Sequence, residues 1–511
     1  MMAYLVNTSV MSMSSEHEPH DTFEESTKFR QKEQKFLCTV HRIDANDWRL
    51  IKYHFLSTTL QNPKLVVMPK VIICGAGLVG ALNACFFARR GWDVEVYEYR
   101  EDIRQMEHVP GRSINLALSC RGKSALEAVG LKDYIVEQGV KMYARLVHNQ
   151  DGKSTNRQPY GQPGEHIVSI NRRHLNEVMI TQAEEYDSVQ FFFQHKVRRM
   201  DMKLGHVVVQ STLTGEELFV QGDLILACDG AHSAIRRSLM AIPHFNFSQE
   251  YIAHGYIELN ILPKEDKFAL EPNVFHLWPR GDFTLIALAN MDKTFTTTLF
   301  APFELFKERM SNDKDVLQFF EEYFPDALKE IGTPALLETF NRVKPQTLIS
   351  VKCEPHSFAG RVLLMGDAAH AMVPFYGQGM NCGFEDCLVL SEILDECEDN
   401  IAKTLETYSS RRCQDAHSII DLAMYNYQEL KDLVNHTSYK LRKKFDLFAN
   451  RWLPNTWIPL YSMVTFTRTP YHEVIEIRKW QDKFLKKTFN LTLLAAVTGG
   501  AFAVAKHLKY L

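Results

Sequence analysis

Three glycines follow a short apolar run with the spacing that dinucleotide-binding turns require. They are Gly75, Gly77 and Gly80, in the sequence Gly-Ala-Gly-Leu-Val-Gly. The first permits a tight turn, the second lets the backbone approach a pyrophosphate, and the third lets the next helix pack closely on the strand. The start of that helix would present free N–H groups and partial positive charge to the phosphates. Glu98 lies 18 residues beyond Gly80, where a carboxylate can accept hydrogen bonds from a ribose.

Two aspartates stand directly after apolar runs of strand length. Asp229 ends one pattern in Leu-Ile-Leu-Ala-Cys-Asp-Gly, and Asp367 ends another in Val-Leu-Leu-Met-Gly-Asp. The Asp367 carboxylate could hold the ribityl hydroxyls of a flavin, and the helix that follows Gly379 could direct its dipole at the flavin pyrimidine edge. Either turn could also be an ordinary strand end, where Asp and Gly are common.

Apolar runs of strand and helix length predict the elements that position these turns. Residues 70–74 form a β-branched run typical of a buried parallel strand, 78–90 have helical spacing, and 93–97 form a second strand. Together they make a βαβ unit of about 30 residues. Two further buried strands are predicted at 219–227 and 361–365.

A different pattern separates those two strands. Alternating runs predict strands of an antiparallel sheet at 251–262, 273–278, 283–289 and 295–300. Helices are predicted at 302–310 and 315–324, and the chain after Gly383 is mostly helical up to about Lys487.

Composition excludes several other classes of protein. The chain has 511 residues, of which 58 are basic and 62 acidic, and a net charge of −4 argues against nucleic-acid binding as its main function. The 10 cysteines form no Cys-x-x-Cys pair, which indicates a reduced intracellular protein rather than a disulfide scaffold or zinc site. We therefore predict no metal.

The three segments in this order resemble the flavoprotein aromatic hydroxylases, which use FAD and NAD(P)H on one polypeptide. A single Gly-x-Gly-x-x-Gly fits that group, because its pyridine nucleotide binds over the Asp-Gly segment without a second Rossmann domain. Longer strings resemble the kynurenine 3-monooxygenase family: Gly111–Ser119, His254–Leu259, Pro374–Asp386, Met424–Tyr427 and Ile458–Phe466. The resemblance runs from about Lys70 to the C-terminus.

The resemblance implies an FAD enzyme that uses NADPH and O2 to convert L-kynurenine to 3-hydroxykynurenine, a step of tryptophan degradation and NAD biosynthesis. A flavin C4a-hydroperoxide would carry the chemistry, so no catalytic side chain is expected. Besides the glycines and Asp229, the implied FAD contacts are Val79, Tyr97, Glu98, Tyr99, Arg100, Ala117, Arg172, Val197, Ala234, Asp367, Met380 and Asn381. At Ala234 relatives can have Thr, and the lost hydroxyl would remove at most a hydrogen bond of about 1 kcal/mol.

The resemblance also assigns the substrate site to Arg145, Tyr160, Asn426 and Tyr461. Arg145 would offer a bidentate fork to the carboxylate of the amino-acid head. The other three would complete the hydrogen bonds to that head while the aniline ring lies in an apolar slot.

The C-terminal tail predicts attachment to a membrane. Residues 488–505 carry no charge over 18 positions and have lysines on both sides. A helix of that length is about 27 Å long, close to the thickness of a hydrocarbon core. In this family the tail implies the mitochondrial outer membrane, with the catalytic part facing the cytosol. The alternative is an apolar helix packed on the protein itself or on a second subunit.

The expected fold is α/β: an FAD-binding Rossmann-like domain interleaved with an antiparallel-sheet substrate domain, then a helical C-terminal region and a transmembrane helix. The predicted boundaries are 1–68 for a disordered polar extension, 69–250 and 351–400 for the FAD domain, and 251–350 for the substrate domain, which also has segments inserted in 69–250. Residues 401–487 are predicted to form a helical region that contributes to the substrate pocket, and 488–505 the anchor. Alternatives are a hydroxylase of another aromatic or quinone-precursor substrate, and a non-catalytic binding module like the Rab GDP-dissociation inhibitors. Protein partners are not predicted.

Overall fold

A computed structural model describes residues 68–107, 115–431 and 436–508, with side chains up to 491 and at 498. The chain divides into two units, Met1–Val67 and Met68–Leu511, and the description concerns the second. The predicted N-terminal extension lies outside the described residues apart from Met68. So do residues 111–114, at the start of one of the strings that carry the family resemblance.

The strands, in chain order, are β1 (Lys70–Cys74), β2 (Asp93–Tyr97), β3 (Asn115–Leu118), β4 (Val140–Met142), β5 (Ala144–His148), β6 (Thr155–Pro159), β7 (Ile167–Asn171), β8 (Val189–Phe192), β9 (His195–Asp201) and β10 (His206–Ser211). They continue with β11 (Glu217–Val220), β12 (Leu224–Ala227), β13 (Asn246–Ile261), β14 (Val274–Pro279), β15 (Thr284–Ala289), β16 (Phe295–Pro302), β17 (Gln346–Glu354), β18 (Ser357–Phe358) and β19 (Val362–Leu364).

The helices before the Gly-Asp turn are α1 (Leu78–Arg89), α2 (Cys120–Ala128), α3 (Lys132–Glu137), α4 (Arg172–Glu184), α5 (Ala234–Leu239), α6 (Phe303–Arg309), α7 (Asp313–Tyr323), α8 (Pro325–Ile331) and α9 (Thr333–Arg342). Those from the turn onward are α10 (Asp367–His370), a 3-10 turn (Pro374–Tyr376), α11 (Gly379–Glu396), α12 (Ile401–Lys431), α13 (Thr437–Trp452), α14 (Leu460–Phe466) and α15 (Tyr471–Leu508).

A six-stranded sheet carries the glycine turn and both aspartate turns, with the strand order β18-β19-β12-β1-β2-β8. Strand β1 lies between β2 and β12 and is parallel to both. Its Val71, Ile72, Ile73 and Cys74 are fully buried, as expected for a parallel strand covered on both faces. Because β19 also runs parallel to β12, the carboxyl ends of β1, β12 and β19 meet at one edge.

A seven-stranded sheet forms the second layer, in the order β17-β13-β16-β15-β14-β5-β6. All four of the predicted antiparallel strands belong to it. The sheet also recruits β5 and β6 from the FAD-domain part of the sequence, and β5 pairs in parallel with β14. The predicted α/β class with two interleaved sheets and a helical C-terminal region is confirmed.

The single strand predicted at 219–227 is wrong, because the chain divides there into two strands. β11 joins a three-stranded sheet with β9 and β10, whereas β12 joins the six-stranded sheet. The break lies at Gly222, where a Cβ would stand 2.9 Å from both Ile72 Cγ1 and the Lys70 carbonyl oxygen. The close approach of this segment to β1 therefore requires glycine at the break.

Helices α11 to α15 make up most of the chain after the Gly-Asp turn. Among the residues that the structure describes, no helix is long and apolar enough to cross a membrane. The predicted anchor at 488–505 falls on the last part of α15, where most side chains lie outside the described set.

Candidate active site

A cavity of about 510 Å³ is lined by residues of both large sheets and of the C-terminal helices. The glycine turn and both aspartate turns contribute to its wall, as do Arg145 on β5 and Tyr461 on α14. Its volume is within the range of small-molecule and cofactor sites, about 300–1,000 Å³. One continuous cavity therefore joins the predicted dinucleotide and substrate residues.

The glycine turn has the geometry of a backbone that must come close to a ligand. Gly75 adopts a φ of +100°, and its N–H donates to the Tyr97 carbonyl at 2.8 Å. A Cβ on Gly80 would lie 1.9 Å from the Gly75 carbonyl oxygen, whereas a Cβ on Gly77 would meet nothing within 4 Å. Gly80 is thus required for packing, while Gly77 faces open space at the start of α1, where N–H groups suit a pyrophosphate.

Glu98 fixes this turn from the end of β2. Its Oε2 accepts from the Ala76 N–H at 2.8 Å and its Oε1 from the Arg100 N–H at 3.0 Å. The carboxylate remains on the cavity wall, and each oxygen can accept more than one hydrogen bond. Glu98 can therefore shape the turn and still receive a ribose hydroxyl.

The Asp229 carboxylate accepts hydrogen bonds from backbone N–H groups at the start of α5, the helix that follows it. Its Oδ2 accepts from the Ala234 N–H at 2.6 Å and from the Ile235 N–H at 3.2 Å. Burial raises the pKa of this carboxyl, and the backbone hydrogen bonds oppose that rise. Asp229 and Ala234 both line the cavity, and the side chain caps α5.

A buried network of charged side chains supports the Gly-Asp turn at residues 366–367. Gly366, with a φ of +57°, donates its N–H to Asp386 Oδ2 at 3.1 Å. Asp386 also receives the His370 imidazole at 2.5 Å and the Arg412 guanidinium at 2.7 Å. The next residue, Asp367, has an exposed side chain at the cavity wall, free to meet polyol hydroxyls.

His370, Cys382 and Asp386 bring ligand atoms within 4.8 Å of one another. The Arg412 guanidinium already contacts Asp386 and lies 3.4 Å from Cys382 Sγ. The positive charge at this point is therefore supplied by the protein.

Asn381 connects the start of α11 to the opposite wall of the cavity. Its Oδ1 accepts from the Ser119 N–H at 2.8 Å, and its Nδ2 donates to the carbonyls of Ala117 and Gly377, both at 2.8 Å. Asn381 itself is fully buried and does not line the cavity, unlike its neighbour Met380. It positions Ala117 and the turn before α11.

At the far end of the cavity, Arg145 is buried among aromatic rings and one carboxylate. Its Nη1 lies 3.2 Å from Glu429 Oε1, and its guanidinium carbon lies 4.4 Å from the centre of the Tyr461 ring. Tyr160 and Tyr461 stack at 5.3 Å. Burial raises the pKa of both phenols, and the positive charge of Arg145 opposes that rise. Both hydroxyls therefore stay protonated and can donate hydrogen bonds.

Asn426 does not line the cavity. Its side chain is buried, and its Nδ2 donates to the Phe375 carbonyl at 2.7 Å. Phe375 stacks on Tyr427 at 3.8 Å and lines the cavity. Asn426 thus fixes an aromatic wall. Its Oδ1 has no hydrogen-bond partner among the described residues, and its predicted contact with the substrate head stays a prediction.

The wall between the two ends is apolar. Its residues are Phe275, Ile286, Leu288, Phe300, Met372 and Phe375. They come from β14, β15, β16 and the segment around the 3-10 turn, so the interleaved chain brings them together. A planar aromatic ring fits such a slot, and the slot keeps water from it.

Of the predicted site residues, those that line the cavity are Gly75, Gly77, Val79, Tyr97, Glu98, Tyr99, Arg100, Ala117, Arg145, Tyr160, Arg172, Val197, Asp229, Ala234, Asp367, Met380 and Tyr461. Gly80, Asn381 and Asn426 lie behind the wall. Sequence reasoning missed Glu429, the partner of Arg145, and no local signal marks it. The glycine turn, the helix start and the exposed Asp367 fit a flavin dinucleotide.

Comparisons with known proteins agree with that fit. Residues 68–423 match the FAD binding domain family. A kynurenine 3-monooxygenase of Caenorhabditis elegans is 65% identical over 452 residues, covering 86% of this chain and 98% of the relative. One of Sus scrofa is 47% identical over 433 residues, covering 84% and 91%. The crystal structure of Klebsiella pneumoniae HpxO complexed with FAD and uric acid aligns with a TM-score of 0.59 at 20% identity, covering 76% and 95%, and shares the fold.

Proposed function

The chain belongs to the kynurenine 3-monooxygenases, FAD-dependent aromatic hydroxylases, and from that premise we propose how its residues divide the reaction. The substrate is L-kynurenine, the product 3-hydroxykynurenine, and NADPH and O2 are co-substrates. The observation that carries the assignment is one cavity whose wall contains both a dinucleotide turn and a buried arginine.

The six-stranded sheet holds the FAD end. Backbone N–H groups at Gly77 and the start of α1 receive the pyrophosphate, Glu98 the ribose, and Asp367 the ribityl hydroxyls. When bound, FAD would supply the redox chemistry by which electrons from NADPH activate O2, so that one oxygen atom would enter the ring and the other would leave as water. The protein needs no strong general base, because the aniline nitrogen already activates the neighbouring ring carbon.

Arg145, Tyr160 and Tyr461 orient the substrate. The guanidinium is permanently charged and presents a planar fork to a carboxylate, and the two buried phenols can donate to the same oxygens. With the head bound there, the aniline ring lies along the apolar wall toward the flavin end. Asn426 fixes Phe375 by donating to its carbonyl oxygen at 2.7 Å, and its Oδ1, which has no partner among the described residues, can still accept a hydrogen bond from the head.

Exclusion of water is the other requirement, since water at the flavin would favour release of hydrogen peroxide over hydroxylation of the ring. The stacked pair Phe375 and Tyr427, with ring centres 3.8 Å apart, and the packed residues of β14 to β16 support that role. A quinone precursor with an apolar prenyl tail has no amino-acid head to meet the buried charge of Arg145.

The test is NADPH oxidation by the purified yellow protein with and without L-kynurenine, with the product identified by mass and retention time. We expect stimulation by L-kynurenine and formation of 3-hydroxykynurenine in near-stoichiometric amounts. Consumption of NADPH that L-kynurenine does not change would refute the assignment of substrate.

We further propose that residues 488–505 attach the enzyme to the mitochondrial outer membrane with its catalytic part toward the cytosol. The support is the run of 18 uncharged residues between lysines, a length that suits a hydrocarbon core of about 30 Å. Fractionation of cells with the full chain and with a chain ending at residue 487 tests this. Full-length protein recovered wholly in the soluble fraction would contradict it.

A further inference from the structure

A second, smaller cavity of about 70 Å³ adjoins the substrate end, and Arg145, Tyr160 and Tyr461 line both cavities. These three side chains therefore form the partition between them. The smaller cavity is otherwise lined by polar groups of α12, α13 and α15, among them Glu429, Tyr439 and Lys443. Glu429 lines the smaller cavity and not the larger one, and it adjoins the substrate end through its contact with Arg145.

Glu429 provides a carboxylate in the smaller cavity, next to Arg145. It lies on α12 with its side chain 10% exposed, and its Oε1 meets Arg145 Nη1 at 3.2 Å. Burial and the negative charge of Glu429 raise the pKa of Tyr439, which also hydrogen-bonds to that carboxylate. Glu429 is therefore held in place from two sides, beside the group that binds the substrate carboxylate.

The other charges of the small cavity are largely paired with one another. Arg442 contacts Asp446 at 2.9 Å and Asp482 at 2.7 Å, and Arg478 contacts Asp446 at 3.2 Å. Lys443 Nζ donates to Gln158 Oε1 at 2.8 Å, and burial lowers the pKa of Lys443 to about 8. Among these groups, Glu429 is the carboxylate that adjoins the substrate end.

We infer that Glu429 recognises the α-ammonium group of the substrate, so that Arg145 and Glu429 together select a zwitterionic amino-acid head. This inference rests on the proposed function and adds a determinant of specificity to it. The carboxylate and ammonium of an α-amino acid stand on one carbon, and the two protein charges stand 3.2 Å apart. Each end of the zwitterion thus meets its opposite charge at the same place.

The free-energy cost of burying an unpaired charge favours a zwitterionic ligand. Arg145 and Glu429 form a neutral pair in a site from which water is largely removed. A ligand that carries only a carboxylate would bring an uncompensated charge into that site, which is costly, whereas a zwitterion brings none. The site should therefore discriminate against aromatic keto acids that lack the amino group.

The experiment compares two substrates on wild type and Glu429→Gln. One is L-kynurenine and the other is desamino-kynurenine, in which hydrogen replaces the α-amino group. Wild type should prefer L-kynurenine in kcat/KM, and E429Q should lower kcat/KM for L-kynurenine about 10- to 100-fold, as expected for loss of a charged hydrogen bond. The value for desamino-kynurenine should change by less than about threefold.

Two further variants make the comparison specific. Lys443→Met changes the opposite charge in the same small cavity and should affect both substrates alike, leaving their ratio unchanged. Glu429→Asp keeps the charge and should retain most of the preference for L-kynurenine. Bound flavin, measured by absorbance, checks that each variant is folded.

An equal loss of kcat/KM for both substrates in E429Q would show that Glu429 acts only as a structural partner of Arg145. That result would overturn the inference. A wild type that hydroxylates both substrates equally well would overturn it without any variant. If wild type holds flavin but hydroxylates neither substrate, the proposed function fails, and that result is separate from the effect of Glu429.

Discussion

The imidazole of His370 and the carboxylate of Asp386 form a buried ion pair, with Nε2 and Oδ2 2.5 Å apart and side chains 2% and 0% exposed. Asp386 raises the pKa of His370 against the opposing effect of burial. The same carboxylate oxygen receives the Gly366 N–H. The pair therefore supports the turn that presents Asp367 to the cofactor.

Removing the charge of Asp386 should destabilise the protein strongly. In Asp386→Asn the His370 cation would lose its buried counter-charge, and Arg412 would keep only Glu385 and Asp415. We therefore expect the free energy of unfolding to fall by about 3–5 kcal/mol. Urea unfolding followed by tryptophan fluorescence measures this. Retained flavin should also be released at a lower urea concentration than in wild type.

The matched control is Glu396→Gln on the same helix, α11. Glu396 pairs with Arg411 at 2.8 Å, but the two side chains are 51% and 52% exposed. A solvated pair of this kind contributes less than about 1 kcal/mol. Equal losses in the two variants would show that the buried network is not what supports the turn.

Glu258 should make stability depend on pH. It is 7% exposed, and burial raises its pKa from 4.5 to about 7, with Arg172 opposing the rise. Between these values the folded state keeps a proton that the unfolded state has lost, so the free energy of unfolding should fall as pH rises through this window. The total effect is about 3 kcal/mol at most.

Glu258→Gln should flatten the profile of unfolding free energy against pH between about 4.5 and 7, because glutamine does not titrate. Glu250→Gln changes an exposed carboxyl on the same strand, β13, and should leave the slope as it is. A slope that persists in E258Q would assign the titration to another group.

Alanine substitutions at Gly77 and Gly80 should have different effects on the glycine turn. A Cβ at Gly80 would stand 1.9 Å from the Gly75 carbonyl oxygen, so Gly80→Ala should lower the unfolding midpoint in urea and lose flavin. A Cβ at Gly77 meets nothing within 4 Å, so Gly77→Ala should keep the midpoint of the flavin-free protein while weakening flavin binding. Full flavin content in G77A would show that the pyrophosphate lies elsewhere.

Arg145 should govern substrate binding without governing cofactor binding. Arg145→Lys keeps the charge but loses the planar fork, and Arg145→Ala loses both. We expect kcat/KM for L-kynurenine to fall about 100-fold or more in R145A and by less in R145K, mainly through KM. The ratio of flavin to protein absorbance should equal that of wild type. Loss of flavin in R145A would contradict the assigned role.

Local signals predicted much of the fold. The β-branched run of β1, the glycine spacing and the two aspartate turns each depend on neighbouring residues only, and the structure places all of them at one edge of the six-stranded sheet. The alternating runs of β13 to β16 are also local. Such features can be predicted from the sequence because strand and turn preferences act over a few residues.

Long-range partners could not be read from the sequence. Arg145 and Glu429 are 284 residues apart, and nothing near either of them signals the other. Asn381 carries the type expected at a binding wall, yet tertiary packing turns both atoms of its amide toward backbone groups. The helices α8 and α9 have only 7 and 10 residues, too short for a strong periodic signal.

The wall of the large cavity draws on residues from Gly75 to Thr465. On a growing polypeptide, the dinucleotide turn is therefore made early, but the chamber around the flavin closes only after α14 has left the ribosome. Enclosure of the flavin and the substrate ring must then follow synthesis of nearly the whole chain, since domains assemble as their segments become available. A chain that ends before α14 would accordingly lack Tyr461 and Thr465 in its cavity wall.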